Sequence, residues 1–335
     1  MNAFKVGGLS LLLLALLMST ATAMTFKVAT IAPEGSYWIT EMRKASATIK
    51  AQTAGRVNFK FYTGGVMGGE NNVLRKIRLG QLHGGMFTGG GLEPVYPDLR
   101  LYSLPLLFNN LEEVDYVRKR LDGPLRAGFE QAGFVSFGFA EGGFALMMSK
   151  TPIRTLADMD GRKVWVPEGD RVYYESMAAL GLSPVSLPIT DVLTGLQTGL
   201  VEVVGTSPIG ALIFQWQTKI AYLTTTPMTY VMGVFALDKG AFDKVKEEDQ
   251  QVVRDVMEPL FIAFDRRNRI DNREALNVLR EQGVTIIDQT PVAAAEFRQR
   301  TRKAIDILAA EGFFDRELLR QLEAHLDDFR RSHQP

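Results

Sequence analysis

The chain of 335 residues contains no cysteine. That absence removes disulfides, thiolate zinc sites, cysteine nucleophiles and a lipid-modified cysteine behind an export signal. A chain of this length buries enough apolar surface to fold without such staples, and it suits two domains better than one. Histidine is nearly as scarce, with only His83, His325 and His333. No pair has the spacing of metal ligands and His83 lacks an orienting partner for base catalysis, so neither a metal nor an enzyme activity is expected. Excess charge is missing too: 38 basic residues balance 38 acidic ones, which leaves no field of one sign to collect nucleic acid or anionic membrane. The apolar run over residues 9–18 is short for a bilayer. Lys5 precedes it and Ala21-Thr22-Ala23 supplies a small-x-small cleavage site. Residues 1–23 therefore read as a cleaved signal peptide, and the mature chain as a periplasmic protein free in solution.

What is present is an alternation of strand and helix patterns. Residues 25–30 are rich in strand formers, a helix follows the turn at 32–38 and ends at Gly55, and residues 57–62 alternate as a second strand. A helix containing Leu74 and Ile77 leads to a short apolar run over 84–91. A second series begins near Val135 and continues through strands at 164–167 and 201–205. Such alternation predicts an open, mostly parallel sheet, whose ligands sit beyond the carboxyl ends of the strands. Residues 33–38, 65–70 and 87–91 then surround one crevice, unless their glycines only make tight turns. The glycine loop at 64–69 has neither the lysine and hydroxyl that cradle phosphate nor dinucleotide spacing, so no cofactor is expected.

The extended segment 136–149, interrupted by Gly142 and Gly143, and the strand 230–237 read as two crossings between domains, which makes a hinge. Residues 247–282 carry apolar side chains at helical spacing, with Gly283 to close the helix and Pro259 expected to bend it. Such a helix is long enough to run across the back of both domains. Thr290 with Pro291 opens a further helix that stops at Gly312, and a last helix over 316–330 carries a leucine stripe.

Four ordered blocks, GGVMGGENNVLRKIRLGQLHGG, YPDLRLYSLPLLFNNLEEV, SKTPIRTLADMDGRKV and LGLSPVSLPITDVLTGLQTGLVE, resemble a known family. It is that of the extracytoplasmic solute-binding proteins of tripartite ATP-independent periplasmic (TRAP) transporters, of the dicarboxylate-receptor type. The resemblance covers nearly the whole mature chain. It implies an α/β protein with two lobes, each an open mixed sheet flanked by helices, joined by crossing strands and a long spanning helix. Residues 24–140 and 229–258 would form the first lobe, 141–228 and 259–312 the second, and 313–335 a C-terminal helix. The implied function is capture of a small molecule by hinge closure and delivery to the small and large integral membrane subunits of a TRAP permease. Soluble or membrane partners of another kind, in a sensory or lipid-carrier role, leave no short motif and stay open.

In the family a ligand carboxylate pairs with a strand arginine that falls here at Trp165. A second arginine corresponds to Ala145, after Gly143 and Phe144, and an asparagine of a later turn to Thr206, beside Ser207. Tryptophan offers one N–H and an apolar face and cannot reproduce the planar fork of arginine. The cleft is thus expected to lack the usual carboxylate clamp and to offer aromatic surface instead: Trp165 and Phe144, Tyr173 or Tyr174, Met67, Phe87 beside Thr88, Tyr37, Trp38 and Trp216. Each buried aromatic contributes about 2–3 kcal/mol, which suits a lipid-like or largely uncharged ligand. The alternative is that Trp165 belongs to the lobe core while Arg171 or Arg162 serves a shifted carboxylate. Glu70 is the best polar wall residue, either accepting from a ligand or placing its charge at a helix N-terminus. Glu141 and Glu168 read as solvated loop positions.

Overall fold

The computed structural model describes residues 23–333; the expected signal peptide lies almost wholly outside them. The chain begins with β1 (Met24–Ala29), α1 (Tyr37–Gln52), β2 (Val57–Tyr62), α2 (Glu70–Arg78) and β3 (Gly84–Thr88). A 3-10 segment at Pro97–Ser103 leads to α3 (Leu111–Gln131), β4 (Phe134–Val135) and β5 (Phe139–Ser149). The next series is β6 (Lys163–Pro167), α4 (Arg171–Ala179), β7 (Ser183–Leu187), α5 (Val192–Thr198), β8 (Val203–Thr206) and α6 (Pro208–Ile213). Then come β9 (Tyr222–Asp238), α7 (Lys239–Phe242), α8 (Glu247–Glu281), β10 (Thr285–Ile287), α9 (Pro291–Ala310) and α10 (Arg316–Ser332). Helix starts follow the residues that satisfy their free N–H groups. Ser36 Oγ, Asn110 Oδ1, Ser207 Oγ and Thr290 Oγ1 accept from the first turns of α1, α3, α6 and α9, the last two with proline in the first turn.

The strand order is β2-β1-β3-β9-β5-β8-β6-β7, with β4 and β10 also on β9. Pairs β1–β2, β1–β3, β6–β7 and β6–β8 are parallel, whereas β3–β9, β5–β9 and β5–β8 are antiparallel. Each lobe thus has its own parallel sheet, and the two long antiparallel strands fuse them into one ladder. A strand of 17 residues such as β9 reaches roughly 55 Å at about 3.3 Å per residue, enough to serve both lobes.

Helix α8 runs 35 residues and passes Pro259 without division. It lies against α1 on one lobe and α6 on the other. Its Met257, Phe261 and Phe264 belong to the core under β1 and β2, and its Leu279 to the core around Trp216. Helix α9 covers α4 while α10 covers α3, so the C-terminal pair also touches both lobes.

Where β5 crosses, the register slips between Glu141 and Gly143. Gly143 has φ +87°, and a Cβ there would stand 2.5 Å from Asn272 Nδ2 of α8. Only glycine fits both demands. The solvated reading of Glu141 is corrected, because its side chain is fully buried and pairs with Arg269 Nη2 of α8 at 2.7 Å. The crossing strand brings it under the long helix, which excludes water. Burial raises its pKa while Arg269 opposes the rise. Arg118 of α3 joins this cluster by donating to Asp265 at 2.8 Å, Phe139 O at 2.8 Å and the Tyr230 hydroxyl at 3.0 Å. Glu168 is exposed.

Candidate functional site

At the carboxyl ends of β3, β6 and β8 a cavity of about 90 Å³ lies between the lobes. Thr88, Gly89, Arg100 and Ser103 come from the first lobe, and Trp165, Pro167, Asp170, Tyr173, Ile189, Gly205 and Thr206 from the second. Ala145 and residues 229–232 of the crossing strands form its floor. A smaller cavity of about 40 Å³ adjoins it through Thr88, Trp165, Pro167 and Ile189, and reaches Glu70 and Glu168.

The residues singled out in the sequence divide into three groups. Trp165, Ala145, Thr88, Tyr173 and Thr206 meet at the larger cavity, and Glu70 at the smaller. Phe144, Trp216, Ser207 and Phe87 stand behind the wall. Phe144 is edge-on to Tyr230 at 5.9 Å, Trp216 edge-on to Trp165 at 5.1 Å, Ser207 caps α6, and Phe87 is buried in the first-lobe core. Tyr37, Trp38, Met67 and Tyr174 point elsewhere. Trp38 stacks on Phe264 at 4.4 Å and donates to Asn268. Tyr37 meets the same ring edge-on with Arg267 over its face. Met67 accepts at its carbonyl from Lys76. Tyr174 is exposed and lines a separate groove with Val166, Pro167 and Asp170.

Trp165 is 4 % exposed. Its indole N–H donates to Leu187 O of the neighbouring strand at 2.9 Å, so the ring offers the cavity apolar surface and no donor. The side chain therefore belongs at once to the lobe core and to the cleft wall. The two cations proposed as substitutes lie elsewhere. Arg171 pairs with Glu311 at 2.7 Å, both about half exposed, and Arg162 donates to the carbonyl of Asp158. Each finds its partner in its own loop or at the C-cap of α9, so neither has reason to turn inward.

The cation that does line the cavity is Arg100, singled out by no sequence motif used above. Its Nη2 donates to Asp170 Oδ1 at 2.8 Å, with both side chains almost fully buried. Glu93 Oε2 stands 3.8 Å from Arg100 Nε. The signal was a lone charge inside the apolar run of residues 99–107, since a charge is rarely buried without a partner. Asp170 also accepts from Tyr173 N at 2.8 Å, capping α4. Glu70 accepts from the N–H and hydroxyl of Thr88, and a Cβ on Gly91 would collide with its carboxylate. Burial pushes Glu70 and Glu93 up to about 7; it raises Asp170 as well, against the pull of Arg100. Two carboxyl groups, of Asp170 and Glu93, thus share one guanidinium.

The family model described as "Bacterial extracellular solute-binding protein, family 7" matches residues 28–311. An uncharacterized protein, YiiZ, of Salmonella typhimurium is 24% identical over 211 residues, 61% of this chain and 63% of that protein. A TRAP periplasmic solute-binding protein from Xanthobacter autotrophicus, solved with bound β-D-galacturonate, superposes with a TM-score of 0.83 at 20% identity, covering 90% of this chain and 99% of that one. The Bordetella pertussis receptor DctP7, which binds pyroglutamic acid, gives 0.82 at 19% identity over 91% and 100% of the two chains.

Proposed function

The chain belongs to family 7 of the bacterial extracellular solute-binding proteins, and on that premise we propose that it is the periplasmic receptor of a TRAP-type secondary transporter. It closes two lobes over one compact ligand and presents it to the small and large integral membrane subunits, with no catalytic step. The proposed division is 24–140 with 229–258 and 141–228 with 259–312, except that Phe261 and Phe264 remain in the first-lobe core and α10 packs on α3. Closure is favoured only by contacts that the open form lacks. The supporting observation is a cavity with walls from both lobes.

The ligand is compact and largely uncharged. Trp165, Ala145, Ile189, Val231 and Met232 supply apolar wall, hydroxyls of Thr88, Ser103, Thr206 and Tyr173 supply hydrogen bonds, and the lining guanidinium is already neutralised. A cavity of about 150 Å³ holds benzene, so the volume here limits the closed form to a small molecule and leaves a long acyl chain no room. A second reading is favoured by Arg100 itself and by the acids held by the galacturonate- and pyroglutamate-binding receptors. In it, a ligand carboxylate replaces Asp170 on Arg100. Gentle purification followed by mass spectrometry of the retained molecule, then thermal-shift titration with it, separates the two. An uncharged molecule supports the first reading, and an acid lost on Arg100→Leu supports the second. A protein that retains nothing and shifts with neither class is not this receptor.

A further inference from the structure

The inference rests on the cleft being the ligand site and concerns which ligands it refuses. Arg100 and Asp170 approach from opposite lobes, one on the 3-10 segment at Pro97–Ser103 and the other behind β6. Their 2.8 Å contact joins the two lobes across the cleft. Asp170 enters the first lobe against Gly90, where a Cβ would lie 3.1 Å from Asp170 Oδ2. Larger side chains would hold the carboxylate off. On the far side, Arg100 Nε and Glu93 Oε2 are buried and have no hydrogen-bond partner. The guanidinium therefore keeps donor capacity beyond the one bond it makes.

We infer that Asp170 is a carboxylate built into the receptor that occupies the cleft's guanidinium on closure, so that closure selects against anionic ligands and for uncharged ones. An arginine in a dry site is a strong carboxylate binder through paired charge-assisted hydrogen bonds. An incoming anion adds a further negative charge beside Asp170 and Glu93 or displaces Asp170 from its counter-charge, and either cost outweighs the new contact. Glu93 and Glu70 add to the refusal once ionised; below their shifted range Asp170 carries the counter-charge alone.

The test is calorimetric titration at pH 6 with two probes of equal shape, propionate and propionamide. Asp170→Asn keeps an acceptor for Tyr173 N and removes the charge, and Glu93→Gln prevents a second acid from taking its place. The double variant is expected to raise the ratio of propionate to propionamide affinity at least tenfold over the unmodified protein. Adding Arg100→Leu is expected to abolish that gain, which a purely structural role of Asp170 would not produce. A folded double variant without the gain, or a gain that survives Arg100→Leu, overturns the inference. Failure of the receptor reading is distinguishable, because it shows as no retained ligand in the unmodified protein.

Discussion

Tryptophan and arginine line this cleft from its two lobes. Trp165 fills a wall position, its one polar atom bonded to Leu187 O, while Arg100 carries the charge from the other lobe. Around it the carboxyl groups outnumber the cation, and this has a consequence in pH. Glu70 and Glu93 titrate near 7 in the folded protein against 4.5 ordinarily, so the native state keeps protons that the unfolded chain releases. Their stabilising effect is complete below about pH 4.5 and is lost as pH rises through 7. Urea midpoints should therefore fall between pH 5 and pH 8. Glu70→Gln mimics the protonated group and should flatten the slope by about 1–3 kcal/mol over that window, allowing for its partial exposure.

At the scale of elements, β5 and β9 decide the architecture, since they run through both lobes and turn two parallel sheets into one ladder. The slip at Gly143 lets β5 pass beneath α8, where Asn272 donates to Gly142 O at 3.1 Å and accepts from Ile209 N of α6 at 3.2 Å. Gly143→Ala would force a side chain into a left-handed backbone and into Asn272 at once. A loss of about 2 kcal/mol or more is expected from these two costs. Thermal denaturation should show it, with Gly161→Ala, also at positive φ but with open space around it, losing less.

At the scale of the whole molecule, the crossing between the lobes is backed by ion pairs. Arg269 of α8 bonds Glu141 of the crossing strand and Asp115 of α3, while Arg118 ties α3 to Asp265. Arg269→Leu leaves the buried Glu141 without its partner, and breaking a buried pair from one side costs about 3–5 kcal/mol. The expected outcome is a lowered denaturant midpoint that recovers in part with Glu141→Gln. A variant as stable as the parent would show that the cluster does not hold the crossing.

Read alone, the sequence determined the strand and helix series, the capped start at Thr290, the crossing at Gly142 and Gly143, the long helix and the family. These follow from local periodicity, from turn chemistry and from ordered blocks of residues, all of which are written in short stretches of chain. It also marked Trp165, Ala145 and Thr206 through the family resemblance, Thr88 through its place at a strand end, and Tyr173 as one of a pair with Tyr174. Tertiary structure alone decided that Tyr37, Trp38 and Met67 pack away from the cavity and that Arg100 meets Asp170. Those two residues are seventy positions apart, and each is ordinary in its own segment. Their pairing depends on two lobes folding face to face, and a contact between distant segments leaves no pattern in either one.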